Sequence, residues 1–313
     1  MSITTDQRRS ADEEPELVDP RLRKPGTPRR FSRLKGLGMV TAVNQLWTFR
    51  FLIWNLAQRD LRSRYKKSVL GWLWSMINPA MNLAVLSVVF GVFFGSKPPQ
   101  VAANGSTDSF ALYLFAGLAV WNFFAATVNG SIAALQASGG MLNKVYFPPV
   151  CPAIANMITV MLQTVIEFSI LAVAMIIVRN ADYHILFLPI LILLLGVFSL
   201  GVGLLVSIFN VFYRDIGYIV AIAMNILFYA TPIIYSIDLQ VRPKLEGTRQ
   251  AWMLWLFELN PLTQFVGWSR DIFWYQRFPG IGSLLGVTAV SFGMFFLGWW
   301  FFNRKAQTAA EEL

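Results

Sequence analysis

RSRYKKSVLGWLWSMINPAMNLAVLSVVFGVFF, residues 62–94, decides how this chain is read. Arg62, Arg64, Lys66 and Lys67 crowd its start, and from Val69 to Phe94 no charge appears. A helix needs about 20 apolar residues to cross about 30 Å of hydrocarbon, and this run is long enough. Lys and Arg placed against an apolar run mark the cytoplasmic flank of a membrane span.

Composition agrees. Of the 313 residues, 56% are hydrophobic and 14% charged, with a mean hydropathy of +0.53; a soluble domain has about 25% charged residues. That excludes a soluble enzyme, a disordered chain and a nucleic-acid-binding domain. The net charge of +9 is local, because residues 1–68 hold 15 of the 26 Lys and Arg and only 7 of the 17 Asp and Glu. The basicity therefore flanks a membrane protein and is no footprint for nucleic acid. The lone Cys151 excludes internal disulfides and a multi-cysteine metal site. The lone His184 argues against a histidine zinc site or a Ser-His-Asp triad.

Six spans are expected, near 69–94, 111–135, 153–178, 185–211, 216–236 and 281–302. The polar segment 1–40 reads as a disordered cytoplasmic tail without a signal peptide. Residues 41–68 read as an interface helix. Phe51, Trp54, Ala57 or Gln58, Leu61 and Tyr65 recur at steps of three and four, and Arg59, Arg62 and Lys66 lie on another face. A soluble amphipathic helix packed on a partner is the alternative. The transmembrane part is 69–304, with an inner loop 136–152 and an outer region 237–280, and 305–313 is a C-terminal tail.

In 237–280 an apolar run is interrupted by Glu258, Asn260, Pro261, Arg270 and Asp271. Lipid tolerates that poorly. Two short helices broken at Asn260-Pro261 are expected to dip into the outer face; a seventh span is the alternative. The fold class is thus all-α integral membrane, with six transmembrane helices, an N-terminal amphipathic interface helix and a re-entrant outer helical hairpin before the last span. An even count places both termini in the cytoplasm, and Arg304 and Lys305 after the sixth span fit that orientation.

Polar residues at membrane depth are the candidate functional groups. Trp74, Asn78 and Asn82 share one helix face, as do Asn225 and Tyr229 in the fifth span, with Pro232 next along that face. Amides in lipid face other helices or a water-filled path. Glu167 is the lone acid near mid-span, and Gln163 one turn earlier is its expected hydrogen-bond partner. No phosphate loop of the G-x-x-x-x-G-K-[ST] type occurs, so energy for active transport comes from another subunit or from an ion gradient.

Several blocks together carry a resemblance. Arg59, Asp60, Leu61, Arg64, Tyr65, Leu70, Gly71, Trp74, Asn78 and Pro79 are followed in order by LNKVYFP (142–148), NVFYRDIGYIV (210–220), TPIIYSI (231–237) and LNPLTQF (259–265). This pattern resembles the permease subunits of type-two ABC exporters, in the branch exporting lipid-linked polysaccharides and polyol phosphates such as O-antigen and teichoic acid. Its wording is most similar to actinobacterial permeases for cell-wall galactan. One departure is Pro149, where the family often has Arg.

The resemblance implies a homodimer around a continuous channel in the bacterial cytoplasmic membrane. Each copy would bind a cytosolic ABC ATPase that holds ATP and magnesium, so this chain needs no cofactor or metal and catalyses nothing. It would meet a lipid-linked glycan, membrane lipids and no nucleic acid. Arg59, Arg62, Arg64, Lys66 and Lys67 would receive the pyrophosphate or headgroup; ordinary topology and lipid anchoring account for the same cluster. Trp74, Asn78, Asn82, Tyr218, Asn225 and Tyr229 would line the channel, with Tyr235 as an outer gate. Lys144, Tyr146 and Phe147, with Tyr213, Arg214 and Asp215, would couple to the ATPase, the aromatic pair filling a groove on it. Other classes stay open: an ABC exporter of drugs or small lipids on the same fold, an ion-coupled transporter, or an integral glycosyl transferase. The last would need acids at an aqueous face, and the inner loops hold essentially Asp215.

Overall fold

The computed structural model describes residues 47–312, apart from 65, 67, 99–101, 104, 106, 143–146, 214, 238–240, 247 and 249–251. The expected tail 1–40 lies outside the described residues. All regular structure within them is helical.

Helix α1 spans Arg50–Arg64. A 3-10 turn, Gly71–Leu73, leads into α2, Trp74–Leu86, which widens into a π-helical stretch, Ser87–Phe93. Next come α3, Phe110–Leu142, and α4, Cys151–Ile177. A 3-10 turn, Tyr183–Phe187, opens α5, Leu188–Phe212, and α6 is Ile216–Ala230. After a one-turn helix, Arg242–Leu245, come α7, Met253–Leu259, and α8, Pro261–Arg270. A π turn, Asp271–Tyr275, precedes α9, Ile281–Glu312.

Five helical segments among the described residues are long and apolar enough to cross a membrane: Gly71–Phe93, Phe110–Gly139, Cys151–Ile177, Tyr183–Phe212 and Ile281–Lys305. The expected fifth span, 216–236, differs. Its helix stops at Ala230 after 15 residues, about 22 Å at 1.5 Å per residue. Thr231 precedes Pro232 and is extended, with ψ 133°, as the ring of a following proline requires. Pro232 also lacks the N–H that would continue the ladder.

Lipid tails are as apolar as leucine, so helices associate here by close packing and interhelical hydrogen bonds. Helix α5 is the hub. A Cβ on its Gly201 would stand 2.6 Å from the Phe295 nitrogen of α9, and one on Gly203 would stand 2.6 Å from the Ser131 hydroxyl of α3. Helix α3 meets α4 where Asn156 Nδ2 donates to the Thr127 carbonyl at 3.3 Å.

The α7–α8 hairpin enters this bundle. Its break falls at Asn260-Pro261, where Asn260 Oδ1 accepts from the Leu262 N–H at 3.0 Å. Phe265 of α8 lies 6.0 Å from Phe198, midway along α5, and Phe198 stacks on Phe124 of α3 at 5.8 Å. The start of α8 therefore reaches the middle of the bundle. Its far end meets the loops: Asn180 Nδ2 donates to the Phe273 carbonyl at 2.9 Å, and the Ala103 N–H to the Trp274 carbonyl at 3.0 Å.

Candidate functional site

Helix α1 lies against the first half of α4. Ile53, Leu56 and Ala57 are buried there with Phe147, Cys151 and Ala155, and the Thr159 hydroxyl donates to the Ala57 carbonyl at 3.3 Å. The aromatic face singled out from spacing is a different one, because Trp47, Phe51 and Trp54 point outward. Arg50 sits between the rings of Trp47 and Phe51, 5.0 and 4.5 Å from their centroids. A helix with one face docked and an aromatic-cationic face bare suits a membrane interface.

The expected cationic cluster is spread along α1. Arg59 pairs with its neighbour Asp60 at 3.0 Å, both partly exposed. Arg62 joins Gln58, Leu61 and Trp72 around an open groove of about 430 Å³ between α1 and the start of the first span. Arg64 Nη1 donates to Gln163 Oε1 of α4 at 2.6 Å. Lys66 is exposed, and Tyr65 and Lys67 lie outside the described residues. The groove thus offers a guanidinium, an amide and an indole, which suit an anionic headgroup carrying sugar or acyl chains.

The expected Gln163–Glu167 hydrogen bond does not form. Gln163 is taken by Arg64, and the Glu167 carboxyl faces the side chain of Asn122 on α3. The reason is reach: one turn apart on one helix, the two side chains each find a partner on a neighbouring element.

The residues expected to line a channel are bare in the single chain. Trp74, Asn78 and Asn82 are exposed on α2, and Tyr218, Asn225 and Tyr229 are exposed on α6. Helix α2 packs on α4 and α3, and α6 packs on α5 and α3. Amides and phenols left uncovered on two apolar helices call for a partner surface or an aqueous path. Tyr235 is half-buried, and its hydroxyl donates to the Tyr229 carbonyl at 2.7 Å.

Lys144, Tyr146 and Arg214 lie outside the described residues. Tyr213 and Asp215 are exposed at the α5–α6 turn. Phe147 departs from expectation. It is 1% exposed and packed beneath α1, so its ring fills a site within this chain and not a groove on a partner. Desolvation of an aromatic ring is satisfied by the first apolar surface available, and α1 supplies it.

Sequence reasoning missed Arg270. It is 5% exposed and sits 3.9 Å above the centroid of Tyr113. The signal is there as a cation inside an apolar run, but its partners are backbone carbonyls far away in sequence. His184 is also buried, with Nδ1 3.3 Å from Asp182 Oδ2 and Tyr183 stacked on it at 4.3 Å. No cluster of potential metal ligands occurs among the described residues.

Residues 51–274 match the family described as ABC-2 type transporter. The O-antigen export system permease protein RfbA of Myxococcus xanthus is 26% identical over 276 residues, which cover 88% of this chain and 100% of that protein. The protein of that name from Klebsiella pneumoniae is 24% identical over 220 residues, 70% of this chain and 78% of the relative. The polysialic acid transport protein KpsM of Escherichia coli is 28% identical over 220 residues, 68% of this chain and 77% of the relative.

Proposed function

Because the chain belongs to the ABC-2 type transporter family, we propose that it is the membrane-spanning permease subunit of an ATP-driven exporter of lipid-linked polysaccharide. The observation that carries this reading is the likeness to an O-antigen export permease along that protein's whole length. Two copies of the chain work with two cytosolic ABC ATPase subunits, which bind ATP and magnesium. The assembly sits in the bacterial cytoplasmic membrane with both termini of each copy inside, as six crossings require when the 15-residue α6 serves as the short one.

The geometry supports a route. A glycan lipid approaches in the inner leaflet, where Trp47, Phe51 and Trp54 hold α1 at the interface. Its pyrophosphate meets Arg62 in the groove beside Trp72, with Arg59 and Arg64 on the same helix and Lys66 just beyond its end. The bare faces of α2 and α6 come together across the dimer, so that Trp74, Asn78, Asn82, Tyr218, Asn225 and Tyr229 border the passage. Flat rings hold sugars without residue-specific hydrogen bonds, and a polymer slides past them. Lys144 and Tyr146 couple the chain to the ATPase, next in sequence to Phe147, which is buried beneath α1. Cell-wall galactan is the first candidate glycan.

Purification of the tagged chain in mild detergent is expected to recover a soluble phosphate-loop protein at equal copy number, with vanadate-sensitive hydrolysis. Depletion in cells is expected to leave lipid-linked glycan on the cytoplasmic side. Recovery of the chain without any ATPase refutes the ATP-driven reading. Normal glycan export after depletion refutes the glycan and redirects the search to drugs or small lipids.

A further inference from the structure

The path that leaves α6 is clamped from both ends of α8. At the first end, Asn260 Nδ2 donates to the Thr231 hydroxyl at 2.9 Å and approaches the Ala230 carbonyl at 3.5 Å. At the other, Arg270 Nη1 donates to the Pro232 carbonyl at 2.8 Å and Nη2 to the Ile233 carbonyl in a short hydrogen bond. Thr231 and Ile233 are 1% and 0% exposed, so their backbone groups have no water to turn to. A broken helix inside a bundle survives only where such groups find donors.

Arg270 is an unusual donor to spend there. Its described partners are carbonyl oxygens and the face of Tyr113, not a carboxylate, and its Nε has no hydrogen-bond partner. A buried cation of that kind is costly unless its planar fork is used fully. What it does in return is hold a bent segment. It sits beyond the C-terminal end of α6, where a helix presents partial negative charge. The segment it holds is folded back on the helix, since Tyr235 caps the Tyr229 carbonyl. Tyr229 is the last exposed aromatic of α6 before the break.

We propose that Arg270 is a positioning residue for the passage: it latches 231–233 to the α7–α8 hairpin and so keeps Tyr229 and Tyr235 in a closed setting when nothing is being exported. The inference deepens the export reading and rests on it for the existence of a passage. A latch that merely stabilised the fold would change melting alone. A latch that seals the passage also governs leak at rest.

The test uses the full chain, reconstituted into phosphatidylethanolamine–phosphatidylglycerol vesicles loaded with potassium, with no ATPase or glycan added. R270K keeps the charge and loses the fork, R270A loses both, and Y113L removes the ring beneath the guanidinium. R277A changes an exposed arginine that pairs with Asp271 at 2.6 Å and serves as control. Potassium release from R270K is expected to rise about tenfold over wild type, the effect of one lost charged hydrogen bond on a two-state closure. R270A is expected to exceed R270K, Y113L to fall between wild type and R270A, and R277A to match wild type.

Wild-type leak from R270K in monodisperse, correctly inserted protein overturns the latch. If R270A fails to insert, R270K and Y113L decide. Equal leak from R277A and R270K also overturns it, because the effect then belongs to charge at that end of the bundle. The measurement does not consult the ATPase, so loss of the latch leaves the export reading to the purification experiment, and failure there leaves the leak result standing.

Discussion

Helices α5 and α6 are joined by one short turn and are both almost wholly apolar, yet their surroundings are opposite. Helix α5 buries residues along its length, among them Leu195, Gly196, Gly201, Gly203 and Leu204, whereas no residue of α6 is buried. Hydrophobicity does not separate them, since lipid serves either helix equally well. Shape does. The glycines of α5 admit the backbones of α3 and α9, while α6 presents Tyr218, Ile219, Ile222, Ile226 and Tyr229 outward. Helix α6 has small residues too, Gly217, Ala221, Ala223 and Ala230, but none of them is buried against a neighbour, so α6 stays at the rim, where a second copy or a substrate path can use it.

The largest expected effect that would break this contrast is truncation. Leu195→Ala, at a site with 0% exposure, should cost about 2–5 kcal/mol, as cavities in packed cores do. Ile222→Ala on the 62% exposed face should stay within about 0.5 kcal/mol. Thermal unfolding of the detergent-purified chain reads both, and equal shifts would abolish the distinction. A smaller change is expected from Gly201→Leu. Its Cβ meets α9 backbone, which cannot swing aside, and overpacking of this kind costs about 1–3 kcal/mol. A melting midpoint equal to wild type would mean that α5 and α9 are not so closely packed in the membrane. The smallest change in stability belongs to Trp74→Ala and Tyr229→Ala, within about 0.5 kcal/mol. Glycan export should nevertheless fall in both. Normal export in both would remove α2 and α6 from the passage and leave their bare faces as lipid contacts.

Much of this molecule is legible in its residues alone. The run after Lys67 announces a span, and the blocks from Arg59 to Phe265 announce the family that residues 51–274 match. The hairpin break is readable at Asn260-Pro261 because proline at the first helical position and asparagine as its cap are local chemistry. Other features are hidden for equally physical reasons. The period of α1 names its aromatic face, but only contact with α4 makes Ile53, Leu56 and Ala57 the docking face. Phe147 reads as a ring for a partner, and only the cover that α1 provides assigns it to the interior. Thr231-Pro232 stops α6 by local chemistry that is visible in the sequence, and only the tertiary structure brings Asn260 and Arg270 to the groups set free there.

By itself, the sequence determined that this chain lives in a membrane, which segments are apolar enough to cross it, where prolines interrupt them and which family it joins. These follow from transfer of side chains and backbone into lipid, which each segment experiences alone. Only the tertiary structure decided which helix is the hub, which polar faces stay bare, and that Arg270 reaches back across 37 residues to the carbonyl of Ile233. Those outcomes depend on which surfaces meet, and an apolar helix in an apolar solvent carries no private preference that would reveal its neighbour in advance.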